Sequence, residues 1–183
     1  MGLVIVIVVV VLIIGFIVMG MYNRLVRLRN RIENAWSQID VQLQRRHDLI
    51  PNLVETVKGY AAHEKSVLEG VTQARANAIS AQGPADKAAA ENVLSGALKS
   101  LFAVSEAYPD LKANQNFLSL QEELTASEDK VAYARQFYND TVRSYNTSIQ
   151  SFPSNVIAKQ FGFTAREYFE AGDESRGPVQ VKF

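Results

Sequence analysis

Cysteine is absent from all 183 residues. No disulfide framework, thiolate nucleophile or cysteine metal ligand is therefore available, which agrees with a reducing compartment. Histidine is almost absent. His47 and His63 are the only two, and they lack the four-residue spacing by which a zincin helix turns two imidazoles toward one metal. The Glu-x-x-His pattern of di-metal bundles does not occur, so both histidines read as helix-surface residues. No glycine-rich phosphate loop, nucleophile elbow or Ser–His–Asp arrangement is legible. The 19 Lys and Arg balance the 19 Asp and Glu. Without a basic surplus, nucleic acid is excluded as an expected partner. These absences predict a chain that is not an enzyme and carries no catalytic residue, cofactor or metal.

A local absence says more. Residues 2–22 contain no charged side chain, and Arg24, Arg27, Arg29 and Arg31 follow at once. A helix of that length, at about 1.5 Å per residue, spans the ~30 Å hydrocarbon layer of a bilayer. A strand reading fails because its backbone would be unpaired in lipid. A cleaved signal peptide fits poorly, because the apolar run is too long and no basic residue precedes it. The four arginines are membrane-flanking and face anionic headgroups. Positive charge is retained on the cytoplasmic side. The sequence thus predicts a single-pass anchor in the cell membrane, with the N-terminus outside and the remaining domain cytoplasmic.

Beyond the anchor lie about 160 residues, enough for one domain with a core. Their apolar period is helical. Trp36, Leu43, Ile50 and Val57 recur every seven residues, and so do Ile39, Leu53, Tyr60 and Val67, with Arg46 as the polar member of that row. Pro51 interrupts no register, so a kinked continuous helix is expected there. Arg46 is expected to lay its stem along the seam with its head in solvent; the alternative is a polar layer that fixes bundle register or meets a partner.

The first helix is expected to end near residues 76–83, with Gly83-Pro84 opening a second that runs to about Tyr108. After Pro109, two features compete. Phe117, Leu124, Val131, Tyr138 and Tyr145 keep one heptad, which favours a single rod, whereas Thr125 and Glu128 have capping-box spacing. A single rod would overshoot the first helix, so a turn near Thr125 and an antiparallel, up-and-down four-helix bundle are expected. Tyr138-Asn139 and Tyr145-Asn146 repeat on one face and read as core tyrosines with satisfied hydroxyls. The expected organisation is an anchor at 1–22, a bundle domain at 23–160, and a tail at 161–183 that is partly ordered or forms a short strand through Val179, Val181 and Phe183.

Two blocks carry a family resemblance: YNRLVRLRNRIENAWSQIDVQLQRRHDLIPNLVETVKGYAAHEKSVLEGVTQAR, and YPDLKANQNFLSLQEELTASEDKVAYARQFYNDTVRSYNTSIQSFPSNVIAKQFGF. Together they resemble the LemA family of bacterial membrane proteins. The resemblance implies a single-pass anchor, a helical bundle and no known enzymatic activity, and it supplies no active-site residues.

The functional expectation is a non-enzymatic, membrane-anchored helical scaffold. Its partners would be the lipid bilayer, a second copy of the chain and protein partners not named by the sequence. The alternative is an accessory subunit of a membrane-associated enzyme, or an envelope-facing stress protein. Leu25, Leu28, Ile32 and Trp36 are the candidate self-association residues. They are expected to emerge into water uncovered, and an exposed apolar stripe favours a coiled-coil collar of identical chains. The competing expectation is that VIAKQFGF folds back over them.

Overall fold

A computed structural model describes residues 1–170; the alternation of Val179, Val181 and Phe183 lies outside the described residues. The fold is all-α, with no strand among the described residues. The helices are α1 (Gly2–Lys58), α2 (Lys65–Ser80), α3 (Pro84–Ser105), α4 (Pro109–Lys112), α5 (Gln115–Gln150) and α6 (Ser154–Gln160). The chain divides into two compact units. Helices α1 and α5 contribute to both.

The larger unit contains residues 38–135 and resumes at 168. One apolar core joins its helices: Ile50, Leu53 and Val57 from α1, Leu68, Val71, Ala74 and Ala78 from α2, Leu94, Leu98 and Leu101 from α3, Leu111 from α4, and Phe117 and Leu124 from α5. Spacings of three and four residues place each set on one helix face. Ile39 and Leu43 are buried as well. Pro51 lies inside α1, with helix on both sides, as the unbroken register predicts.

The helix boundaries correct two expectations. First, α1 ends at Lys58 rather than near residues 76–83. Gly59 costs about 1 kcal/mol relative to Ala in a helix, and the backbone tightens here. Both Tyr60 N and Ala61 N donate to Val57 O, at 3.0 and 2.8 Å. Ala61 and Leu68 still enter the core, so the apolar period persists through a break that it does not reveal. Second, no turn occurs at Thr125, and α5 runs through it. The Thr125 hydroxyl donates back to Gln121 O at 2.9 Å, while Glu128 reaches Arg46 at 3.6 Å. Neither side chain is left for a capping box. The start of α5 has its cap elsewhere: Asn114 Oδ1 accepts from Phe117 N at 3.0 Å. Four long helical stretches therefore share the core of this unit, divided at Gly59 instead of Thr125.

Gly83 shapes the α2–α3 connection. Its φ of 78° is left-handed backbone that favours glycine, and Pro84 then occupies the first turn of α3. Helices α2 and α3 pack against each other, joined by only residues 81–83.

The smaller unit contains residues 1–37 and 136–167. The apolar stretch of α1 is long enough to cross a membrane, and its most apolar window has no buried residue. Only Val18 and Met21 within residues 2–22 are half-buried. They pack on a cluster formed by Leu25, Ile157 and Ala158, together with Ile149 and Phe163. Helix α6 closes in a Schellman arrangement: Phe163 N donates to Ala158 O at 2.9 Å and Gly162 N to Lys159 O at 3.5 Å. Gly162 supplies the left-handed residue, with φ at 70°.

This cluster removes the premise of an open apolar stripe. Leu25 is 1% exposed and Ile32 4%; Leu28 and Trp36 are half-buried. The VIAKQFGF segment folds back and contributes Ile157, Ala158 and Phe163 to the cover around Leu25. The stripe expected to form a collar between copies is packed within one chain.

Candidate functional site: a buried ionic layer and a tyrosine-clamped strap

The first candidate lies inside the larger unit. Arg46 stands in the seam row between Ile39 and Leu53, and Glu91 stands in the row of Leu94, Leu98 and Leu101 on α3. Both are buried, at 2% and 4% exposure, and His47 is 3% exposed. Arg46 Nη1 donates to Glu91 Oε2 at 3.2 Å, and Nη2 donates to Ser95 Oγ at 2.7 Å. His47 Nε2 lies 2.6 Å from Glu91 Oε1; with an ionised carboxylate as the acceptor, the ring nitrogen donates. Arg75 Nε from α2 donates to the carbonyl of His47 at 2.7 Å. At the edge, Lys87 Nζ meets Asp40 Oδ1 at 3.0 Å.

Two expectations change here. Arg46 does not carry its head to open solvent, because Glu91 supplies the compensating charge that makes burial tolerable. The polar layer is the observed arrangement. His47 is likewise buried rather than on the surface, whereas His63 is exposed as expected. Glu91 escaped the sequence reading. The available signal was an acidic residue in an apolar helical row, opposite in sign to the arginine already found in the facing row.

A cavity of about 140 Å³, lined in part by Arg46, Ser95, Lys99, Thr125 and Glu128, opens beside the layer. Arg46 Nε has no partner among the described residues, and the space is ample for water, whose requirement is roughly one probe sphere of volume. Ser95 Oγ is engaged by Arg46 and the imidazole by Glu91, so these residues do not form a serine–histidine relay. No group of three or more potential His, Cys, Asp or Glu ligands occurs among the described residues. What the layer can do is fix the register of α1 against α3: sliding either helix would separate a buried charge from its partner.

The second candidate lies in the smaller unit. The two Tyr-Asn repeats of α5 hold the irregular strap that follows α6. Tyr145 OH donates to Thr164 O at 2.9 Å, and Tyr138 OH to Glu167 O at 3.0 Å. Asn146 makes a reciprocal pair with the backbone of Arg166, Nδ2 to its carbonyl and Oδ1 from its N–H, both at 2.9 Å. The core tyrosines with satisfied hydroxyls thus match the sequence expectation. Burial raises both phenol pKa values, and the Arg166 guanidinium partly opposes it. Trp36 lies against Tyr138, ring centroids 5.5 Å apart.

The four membrane-flanking arginines are all exposed. Arg29 lies over the Phe163 ring at 5.6 Å and Arg31 over Phe137 at 5.3 Å, distances suited to cation–π attraction.

Comparison with known proteins gives one family and several relatives. Residues 35–183 match the LemA family. The chain is 28% identical to Protein LemA of Metamycoplasma hominis, over 91% of this chain and 76% of that protein. It is also 28% identical to Magnetosome protein MamQ 2 of Paramagnetospirillum magneticum, over 83% of this chain, and spans 66% of that relative's length. Magnetosome protein MamQ of Magnetospirillum gryphiswaldense is 27% identical, with the same coverage.

Proposed function

The chain belongs to the LemA family, and from that membership we propose that it is a non-enzymatic scaffold tethered to the cell membrane by residues 2–22. The carrying observation is the unburied apolar start of α1, a helix whose later residues enter a packed core. An apolar helical stretch that the described residues leave uncovered up to Val18 needs lipid around it. The buried layer of Arg46, His47 and Glu91 supports the non-catalytic part of the reading, because the Glu91 carboxylate and the His47 Nε2 are spent on each other and on Arg46. Extraction of membranes with alkaline carbonate tests the anchor: the full chain should stay in the pellet, and its release would overturn the tether. Cross-linking in intact cells followed by mass spectrometry tests the scaffold, which should return a reproducible set of protein neighbours.

In this reading the N-terminus faces outward and residues 23–183 are cytoplasmic, supported by the arginines that follow the anchor. Protease added outside intact cells, or after permeabilising only an outer membrane, should spare the bundle. Digestion of residues 30–183 under those conditions would reverse the orientation. Self-association belongs to the same reading. With the 25–36 stripe covered, its support is the high local concentration that a shared bilayer gives identical chains.

A further inference from the structure

Helix α6 and its flanks sit beside the last turns of the anchor. Val18 and Met21 belong to the uncharged run of residues 2–22, yet they pack on the cluster formed by Leu25, Ile157 and Ala158. Tyr22 meets Phe161 and Phe163 edge-on, with ring centroids 4.9 and 5.7 Å apart. Residues 18–25 span about 10 Å of helix axis, covering the last turn of the apolar run and the first turn of the arginine-bearing stretch. Whatever packs there is held at the level where hydrocarbon gives way to headgroups.

This segment exposes three large apolar side chains. Phe152 is 83% exposed and Val156 57%, and Phe161 is more than half exposed. Lys159 is also exposed, as are Arg24 and Arg27 on the adjoining turns of α1. Three uncovered apolar side chains with basic neighbours have the composition of an interfacial element. Aromatic and aliphatic groups enter the acyl boundary, and ammonium or guanidinium groups reach phosphate.

We propose that residues 152–163 dock onto the bilayer interface as a second, monotopic membrane contact, with Phe152 and Val156 inserted among phospholipid acyl chains and Lys159 at the phosphates. The occupant of this surface is lipid because the segment is fixed to the transmembrane helix at Val18, Met21 and Tyr22; no protein partner need be brought there. The Schellman turn at Gly162 returns Phe163 to the cluster, which holds the segment in place. Two contacts on one helix restrain its rotation and tilt where a single span would leave both free. The inference rests on residues 2–22 being the anchor.

The absence of native cysteine allows a direct test on the full chain. Phe152→Cys and Val156→Cys, each carrying a nitroxide label, are reconstituted separately in vesicles of zwitterionic and anionic phospholipid. Val10→Cys reports the anchor and Tyr133→Cys the water-exposed surface of the larger unit. All four side chains are exposed, so labelling displaces no packed atom. Collisions with dissolved oxygen are compared with collisions with a water-soluble nickel chelate. The expected result is that labels at 152 and 156 prefer oxygen several-fold over the label at 133, at a shallower depth than the label at 10. Water-like values at 152 and 156 with a deep label at 10 would overturn the interfacial contact while leaving the anchor intact. A water-like label at 10 would overturn the anchor, and this inference with it.

Discussion

Arg46 and His47 share the one buried carboxylate of Glu91, so Glu91 is where the ionic layer is most vulnerable. Glu91→Ala leaves Arg46 the Ser95 hydroxyl and, for a carboxylate among the described residues, the more distant, half-exposed Glu128. The expected cost is about 3–5 kcal/mol, the usual effect of stranding a buried charge. Denaturant titration of the fragment 23–183 reads it directly. Replacing Arg46, His47 and Glu91 together by Met, Leu and Leu should recover most of that loss, because the desolvation cost disappears with the charges. A triple variant as unstable as Glu91→Ala would show that the layer contributes more than charge balance. At this scale the sequence was half legible. Arg46 stood out against Leu43 and Ile50, but no rule of spacing links it to a residue 45 positions away.

The tyrosine clamp makes a second residue-scale prediction. Tyr138 and Tyr145 have phenol pKa values raised by burial, from an unfolded value of about 10. Between the two values the folded chain binds more protons than the unfolded one, so its stability falls as pH rises. The strap should be fully held below about pH 10 and released as pH climbs through the raised values. Denaturation midpoints measured from neutral to alkaline pH would show the fall. Tyr138→Phe with Tyr145→Phe should flatten it, while costing roughly 1–3 kcal/mol at neutral pH for two lost hydrogen bonds. An unchanged alkaline slope in that variant would assign the fall to other groups.

Among the elements, α1 and α5 show what periodicity reveals and what it hides. Pro51 sits in α1 with register intact on both sides, and the helix is continuous there. Pro51→Ala should therefore be neutral or mildly stabilising, by no more than about 1 kcal/mol, since the substitution restores a backbone donor within an existing helix. Leu53, fully buried two residues later, should cost about 2–5 kcal/mol when cut to Ala. Thr125 discriminates between the two readings of α5. As a cap its loss would cost about 1 kcal/mol. Bonded to Gln121 O within the helix, it should cost less than about 0.5 kcal/mol, the usual range for surface substitutions.

The seven-residue apolar spacing indicated the buried face of α1 from Ile39 to Val57, because burial of a helical stripe requires that period, but Tyr60 of the same row is exposed. It did not locate the ends. At Gly59 the next helix resumes with Ala61 and Leu68 still facing the core, so the pattern continues across a break. At Thr125 a local capping signal lost to side-chain partners contributed by the rest of the fold. Boundaries depend on such competition, and the competing partner is distant in sequence.

For the whole molecule, the consequential point is that the cluster around Leu25 lies on both sides of residue 22. Val18 and Met21 belong to the apolar run but also cover Ile157 and Ala158. Cutting the chain at residue 23 to obtain a soluble fragment removes that cover together with the Tyr22 contacts to Phe161 and Phe163. A fragment beginning at residue 16 keeps all of them. Two half-buried side chains are worth roughly 2 kcal/mol together. Where exchange follows local opening, amide hydrogens of α6 should therefore exchange on the order of 30-fold faster in the shorter fragment. Amides in the larger unit, whose core residues begin at Ile39, should exchange alike in both. Hydrogen exchange read by mass spectrometry, with both fragments in the same mild detergent, makes the comparison. Equal protection of residues 154–163 would mean that Val18 and Met21 contribute nothing to holding α6, and that the fold closes without the anchor. Faster exchange confined to α6 and the 161–167 strap would mean that the anchor's last turn is a structural part of the smaller unit.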